Sequence, residues 1–214
     1  MNLPTKITVS RIVATVLLII TLFVLSFFPV LETPSLGNTG INLIFLIIFV
    51  FFVIASYTDH LDGKLARKNN QVTDLGKFLD PIADKLLVNS MLIFLACPYA
   101  FEYARETQHV FIPLWCVIIM VARDTVVDAM RFIAAQKGTV IAANIFGKMK
   151  TVLQMVAISL VLLNDFPFHY LYPENDNPYL NVTAFIVYAA TLVSFLSGVI
   201  YVYQNRKVLV EKKD

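Results

Sequence analysis

From Asp59 to Lys85 the chain reads DHLDGKLARKNNQVTDLGKFLDPIADK, and it is set between two uncharged stretches, Thr33–Thr58 and Leu86–Phe101. An acid-rich segment between runs that approach or exceed the roughly 20 residues needed to cross a hydrocarbon core predicts two neighbouring membrane helices joined at one face of a bilayer. Working outward, Ile12–Leu31, Thr107–Ala122, Thr151–Asn164 and Asn177–Asn205 are also uncharged. The pattern predicts an all-α, polytopic membrane protein of six transmembrane helices. Thr107–Ala122 and Thr151–Asn164 are short for a span, so their helices must borrow turns from the charged segments beside them or end where polar residues line a cavity. Composition agrees: 58% of the 214 residues are hydrophobic and 15% are charged, which excludes an ordinary soluble domain.

Cytoplasmic loops collect lysine and arginine. With the N-terminus inside, every lysine and arginine except Arg105 falls on the inner side, so both termini are expected to be cytoplasmic. An odd number of spans would scramble this division. Lys6 and Arg11 precede the first apolar run as they would in a signal peptide, but that run is too long and no small-x-small cleavage site follows. Cys97 and Cys116 stand alone in apolar runs and are expected to be buried thiols. The net charge of +2 is collected on one face, where anionic lipid headgroups or phosphate-bearing substrates, rather than nucleic acid, are the expected partners. No linker, repeat or low-complexity tail interrupts the sequence, and residues 1–214 read as one domain.

Asp59 and Asp62, three apart, share a face of a helix continuing from the second span, as do Asp80 and Asp84, four apart, near the start of the third. Pro81 implies that the third helix starts or kinks there. Four carboxylates beside a low-dielectric region repel one another unless a cation sits between them. Oxygen-only ligands select a hard ion, Mg2+ or Mn2+. Gly63, Ala66 and Gly76 clear space next to the acids, and Lys64 and Arg67 are placed to hold a diphosphate. His60, His109 and His169 are expected to be surface residues.

Asp59-x-x-Asp62-Gly63-x-x-Ala66-Arg67, eight residues, then Gly76-x-x-x-Asp80-x-x-x-Asp84 resembles the signature of the CDP-alcohol phosphotransferases at every position. The resemblance implies transfer of a phosphatidyl or similar group from a CDP-linked donor to an alcohol, with release of CMP. It also implies metal ligation by Asp59, Asp62, Asp80 and Asp84, with Asp84 as the general base, and donor binding at Asp62, Gly63, Ala66 and Arg67. A homodimer is implied by the family as well.

The acceptor must be read from ARDTVVDAMRFIAAQKG and GKMKTVLQM. Arg123 and Arg131 lie eight apart on one helical face, and Lys148 opens the next span after Gly147. Interfacial cations are costly without an anion, so these three are expected to bind an acceptor phosphate, whereas Lys137 and Lys150 are expected to snorkel to lipid headgroups. Together with the opening NLPTKITVSRI, this segment resembles the bacterial phosphatidylglycerophosphate synthases, which use CDP-diacylglycerol and glycerol 3-phosphate. That branch has Arg-Glu where this chain has Arg123-Asp124, and Asp128 is a further unexpected acid. Relatives with other acceptors, such as inositol phosphate, serine or phosphatidylglycerol, are the nearest alternatives. A divalent-cation transporter would place its acids near mid-membrane, not beside basic residues at the ends of spans.

Overall fold

The computed structural model describes residues 3–26, 41–68, 74–97, 110–138, 145–171 and 180–209. Six α-helices lie among them: α1 Leu3–Ser26, α2 Leu43–Lys68, α3 Asp74–Ala96, α4 Leu114–Gln136, α5 Ile145–Leu162 and α6 Val182–Leu209. A short 3-10 turn, Phe168–Leu171, lies between α5 and α6, and the described residues contain no β-strand. Three helices, α1, α5 and α6, are long and apolar enough to cross a membrane, and α2 carries a shorter apolar stretch, Leu43–Thr58.

Two of the predicted helix extensions occur. α5 begins six residues before Thr151 and takes in Lys148 and Lys150, while α4 runs on past Ala122 through Arg123, Asp128 and Arg131. Likewise α2 continues beyond its apolar stretch to Lys68. α3 begins at Asp74, not at Pro81, so Pro81 falls inside it. Its exposed ring lies in the third turn, where it removes one intrahelical hydrogen bond.

The bundle is packed by stripes at three- and four-residue spacing. Phe45, Ile48, Phe52 and Ala55 on α2, Leu87, Met91 and Leu95 on α3, Cys116, Val117 and Met120 on α4, and Ile158 and Val161 on α5 belong to one apolar core cluster. The opposite faces, with Ile47 and Ile54 on α2, Leu114 and Ile118 on α4, and Phe185, Leu192 and Phe195 on α6, stay exposed and apolar. In water that would be a liability, but lipid tails solvate them. α6 packs extensively on both α4 and α5, and α1 packs mainly on α3. The face α1 buries is polar: Thr5, Thr8, Arg11 and Thr15 are each at most 4% exposed. Arg11, which the sequence used only as an orientation marker, is therefore a buried cation.

At the far end of α5, Asn164 and Asp165 take left-handed backbone angles (φ 54° and 63°), a conformation that Asn and Asp tolerate better than most residues. The buried Asp165 carboxylate accepts hydrogen bonds from the Thr183 amide (3.1 Å) and hydroxyl. It thereby caps the first turn of α6 and fixes how α6 returns across the bundle. Of the two cysteines, Cys116 is buried as expected, but Cys97 is exposed because α3 ends just before it.

Candidate active site

Five cations and three carboxylates surround one cavity of about 210 Å³ where the start of α3, the end of α4 and the start of α5 meet. Asp84 and Lys85 come from α3, Arg123, Asp124, Asp128 and Arg131 from α4, and Lys148 and Lys150 from α5. Arg123, Arg131 and Lys148, which the sequence expects to share a phosphate pocket, do line the same cavity, together with the expected base Asp84. The eight-residue spacing of the two arginines is two turns of α4, which brings both to one face.

The acids answer the cations. Asp124, 5% exposed, accepts from Arg123 Nη1 at 3.0 Å and from Lys150 Nζ at 2.5 Å. Lys85 pairs with Asp128, tying α3 to α4. Lys150 thus departs from the expected snorkelling: it is 5% exposed and turned inward, because a buried carboxylate one helix away gives it a better partner than the headgroup layer. Lys137, just beyond α4, is exposed as expected.

α6 supplies a second set of contacts that sequence spacing did not reveal. Arg123 Nε donates to Ser197 Oγ at 3.1 Å, and Arg131 Nε donates to Tyr201 Oη at 3.2 Å, with its guanidinium 5.6 Å from the centre of the tyrosine ring. Ser197 and Tyr201 are four apart and buried, so one face of α6 holds both arginines. Gly198 makes the approach possible: a Cβ there would lie 2.7 Å from Arg123 Cγ. On the outer side of that contact, Arg123 also lines an apolar groove of about 620 Å³ between α4 and α6, with Phe195, Val199 and Val202 in its wall and Arg206 at its end. One arginine therefore stands between a charged cavity and a lipid-facing groove.

Asp59, Asp62, Gly63, Ala66 and Arg67 fall in the second half of α2, and Asp80 and Asp84 fall one turn apart in α3. The two helices pack against each other. Asp84 is half-buried at the cavity. The side chains of Asp59, Asp62, Arg67 and Asp80 lie outside the described residues, as do those of His60, His109 and His169. Aspartate oxygens are the ligand type a hard divalent ion takes, and the residues of each pair are about one turn apart on their helix.

Residues 1–198 match the family model for CDP-alcohol phosphatidyltransferase. The chain belongs to this family. It is 37% identical over 195 residues, 90% of this chain and 91% of the relative, to a CDP-diacylglycerol–glycerol-3-phosphate 3-phosphatidyltransferase of Bacillus subtilis. A protein of the same name from Haemophilus influenzae is 33% identical over 213 residues, 98% of this chain and 96% of the relative. A CMP-forming cardiolipin synthase of Oryza sativa is 34% identical over 168 residues, 76% of this chain and 46% of the relative.

Asp124 pairs with the buried Lys150 and the partly buried Arg123, so its removal is expected to be damaging. Asp124→Asn leaves both without that carboxylate, and loss of one partner from a buried pair typically costs about 3–5 kcal/mol. The purified variant should melt well below the parent protein in a thermal scan in detergent. Lys150→Met, which removes a charge and leaves Asp124 paired with Arg123, should be milder.

Proposed function

We propose that this enzyme transfers the phosphatidyl group of CDP-diacylglycerol to glycerol 3-phosphate, giving phosphatidylglycerophosphate and CMP. The observation that carries this is the excess of cations around a cavity bordered by Asp84. Three carboxylates cannot neutralise five cations, and a phosphate dianion on the acceptor makes up the difference. An uncharged acceptor such as serine leaves the excess in place. The volume of about 210 Å³ is below the roughly 300–1,000 Å³ of pockets for drug-sized ligands. It suits a small alcohol phosphate, and the phosphodiester of phosphatidylglycerol would bring one negative charge fewer to the cations. The full-length bacterial relatives carry the same activity in their names.

In this scheme Asp84 accepts the proton of the acceptor hydroxyl, whose oxygen attacks the phosphatidyl phosphorus of the donor. The bond to the CMP phosphate breaks and CMP leaves. Asp59, Asp62, Asp80 and Asp84 hold a divalent ion, Mg2+ or Mn2+, which when bound neutralises charge on the donor diphosphate. Asp62, Gly63, Ala66 and Arg67 flank the cytidine end. Arg131 and Lys148 are exposed at the mouth of the cavity and meet the acceptor phosphate first, with Arg123 behind them. The donor's tails need an apolar surface next to this cavity, and the groove behind Arg123 offers one.

The bias of lysine and arginine supports a six-span protein of the bacterial cytoplasmic membrane, with the site and both termini on the cytoplasmic face. The working form is a homodimer, as in the family.

Cysteines placed at Lys68 and Lys137 should react with an impermeant maleimide only from the cytoplasmic side, and one at Glu174 only from outside. The opposite labelling pattern would place the site on the wrong face.

Loss of a general base typically lowers a rate by about 10²–10⁴. Asp84→Asn should cut turnover by that order in a CMP-release assay while donor affinity changes little. Donor affinity falling in step with turnover would make Asp84 a metal ligand only.

Arg131→Ala should raise the KM for glycerol 3-phosphate about tenfold or more, the loss of one charged hydrogen bond, and leave the KM for CDP-diacylglycerol within a few-fold. Arg131→Lys should recover part of the loss, since lysine keeps the charge without the planar fork. A parent enzyme that prefers unphosphorylated glycerol would exclude the acceptor proposed here.

A further inference from the structure

Gln154 lines the cavity from α5 at 1% exposure, and its Nε2 has no hydrogen-bond partner among the described residues. A buried amide N–H without an acceptor is destabilising, and native structures rarely leave one unanswered. The cavity itself offers little to answer it. Asp124 is engaged by Arg123 and Lys150, Asp128 is engaged by Lys85, and Asp84, the third carboxylate, interacts electrostatically with Lys85 and Lys150. The remaining polar neighbours are mostly further donors, the cations themselves. A neutral donor among cations, with the nearby carboxylates occupied, is satisfied when an oxygen-rich anion enters.

Its position says which part of the cavity it serves. α5 enters the site at Ile145, and Gln154 is the cavity-lining residue farthest along it, one turn beyond Lys150. Arg123 on α4 and Val88 on α3 are likewise the lining residues farthest from the open ends of their helices. These three form the floor, whereas Arg131 and Lys148 stand at the rim. A rim of exposed cations captures an anion, and a buried neutral donor at the floor sets how far in it sits.

We infer that Gln154 is a positioning residue of the acceptor subsite, its Nε2 donating to a phosphate oxygen of the bound alcohol phosphate. This rests on the function proposed above. It adds a specificity element to the acceptor site from a residue that carries no charge. By fixing the depth of the phosphate, Gln154 fixes how far the attacking hydroxyl lies from Asp84.

The test uses the full-length protein in detergent, with Gln154→Leu and Gln154→Glu. Leucine keeps the bulk and removes the unpaired amide, so the ligand-free melting temperature should be unchanged or raised. The KM for glycerol 3-phosphate should rise about tenfold and kcat should fall with it, because the attacking hydroxyl is no longer held at its distance from Asp84, while the KM for CDP-diacylglycerol stays within about twofold. Competitive inhibition by inorganic phosphate should weaken by the same factor. Gln154→Glu should raise that KM further, since a carboxylate repels phosphate. A lower melting temperature with an unchanged KM would make Gln154 purely structural and overturn the inference. A raised KM with unaltered phosphate inhibition would move its partner to a hydroxyl and overturn it equally. If the parent enzyme does not use glycerol 3-phosphate at all, the proposed function fails separately. Thermal protection by inorganic phosphate then decides the role of Gln154: loss of protection in Gln154→Leu supports it, and full protection overturns it.

Discussion

The site depends on one buried carboxylate. Asp124 takes Arg123 from its own helix and Lys150 from the next, at 3.0 and 2.5 Å. Without it, the buried ammonium of Lys150 and the partly buried guanidinium of Arg123 would lose their direct partner, a situation proteins avoid by unfolding locally or by drawing in water. With it, α4 and α5 are fixed in register, and the outward turn of Arg123 brings Ser197 on α6 into the same network. Three helices thus meet at a polar knot just inside an apolar bundle. The neutralisation is incomplete by design of the count: one carboxylate cannot balance two cations, and the surplus is what an anionic substrate would meet.

The second ion pair, Lys85 with Asp128, joins this knot to the helix that carries Asp80 and Asp84. The acidic side of the site and its cationic side are therefore coupled through adjacent residues on α3. That coupling matters for chemistry in which a hydroxyl must sit between a base on one helix and a phosphate pocket on two others, because small displacements of either side lengthen the attack distance. Gly198 plays a comparable part in packing: the missing Cβ lets the Arg123 stem lie against α6, so the same side chain forms a wall of the polar cavity and of the lipid-facing groove.

The sequence on its own pointed to the helical, membrane-spanning character of the chain, since long uncharged runs satisfy their backbone groups within a bilayer as helices. It also placed Asp59 with Asp62 and Asp80 with Asp84 one turn apart, and Arg123 with Arg131 on one face, because helical periodicity is a local property. Only the tertiary structure decided that Lys150 turns inward to Asp124, that Ser197 and Tyr201 receive the arginines, that Gln154 closes the cavity floor, and that Arg11 is buried while Cys97 is not. The physical reason lies in the solvent. In water a helix announces its buried face by contrast with a polar one, but α6 is apolar on its exposed side and buries small hydroxyls, Thr191, Ser194 and Ser197, among apolar residues on the other. Which face meets which neighbour is then set by packing and by a few long-range polar contacts, and those exist only once the helices have come together.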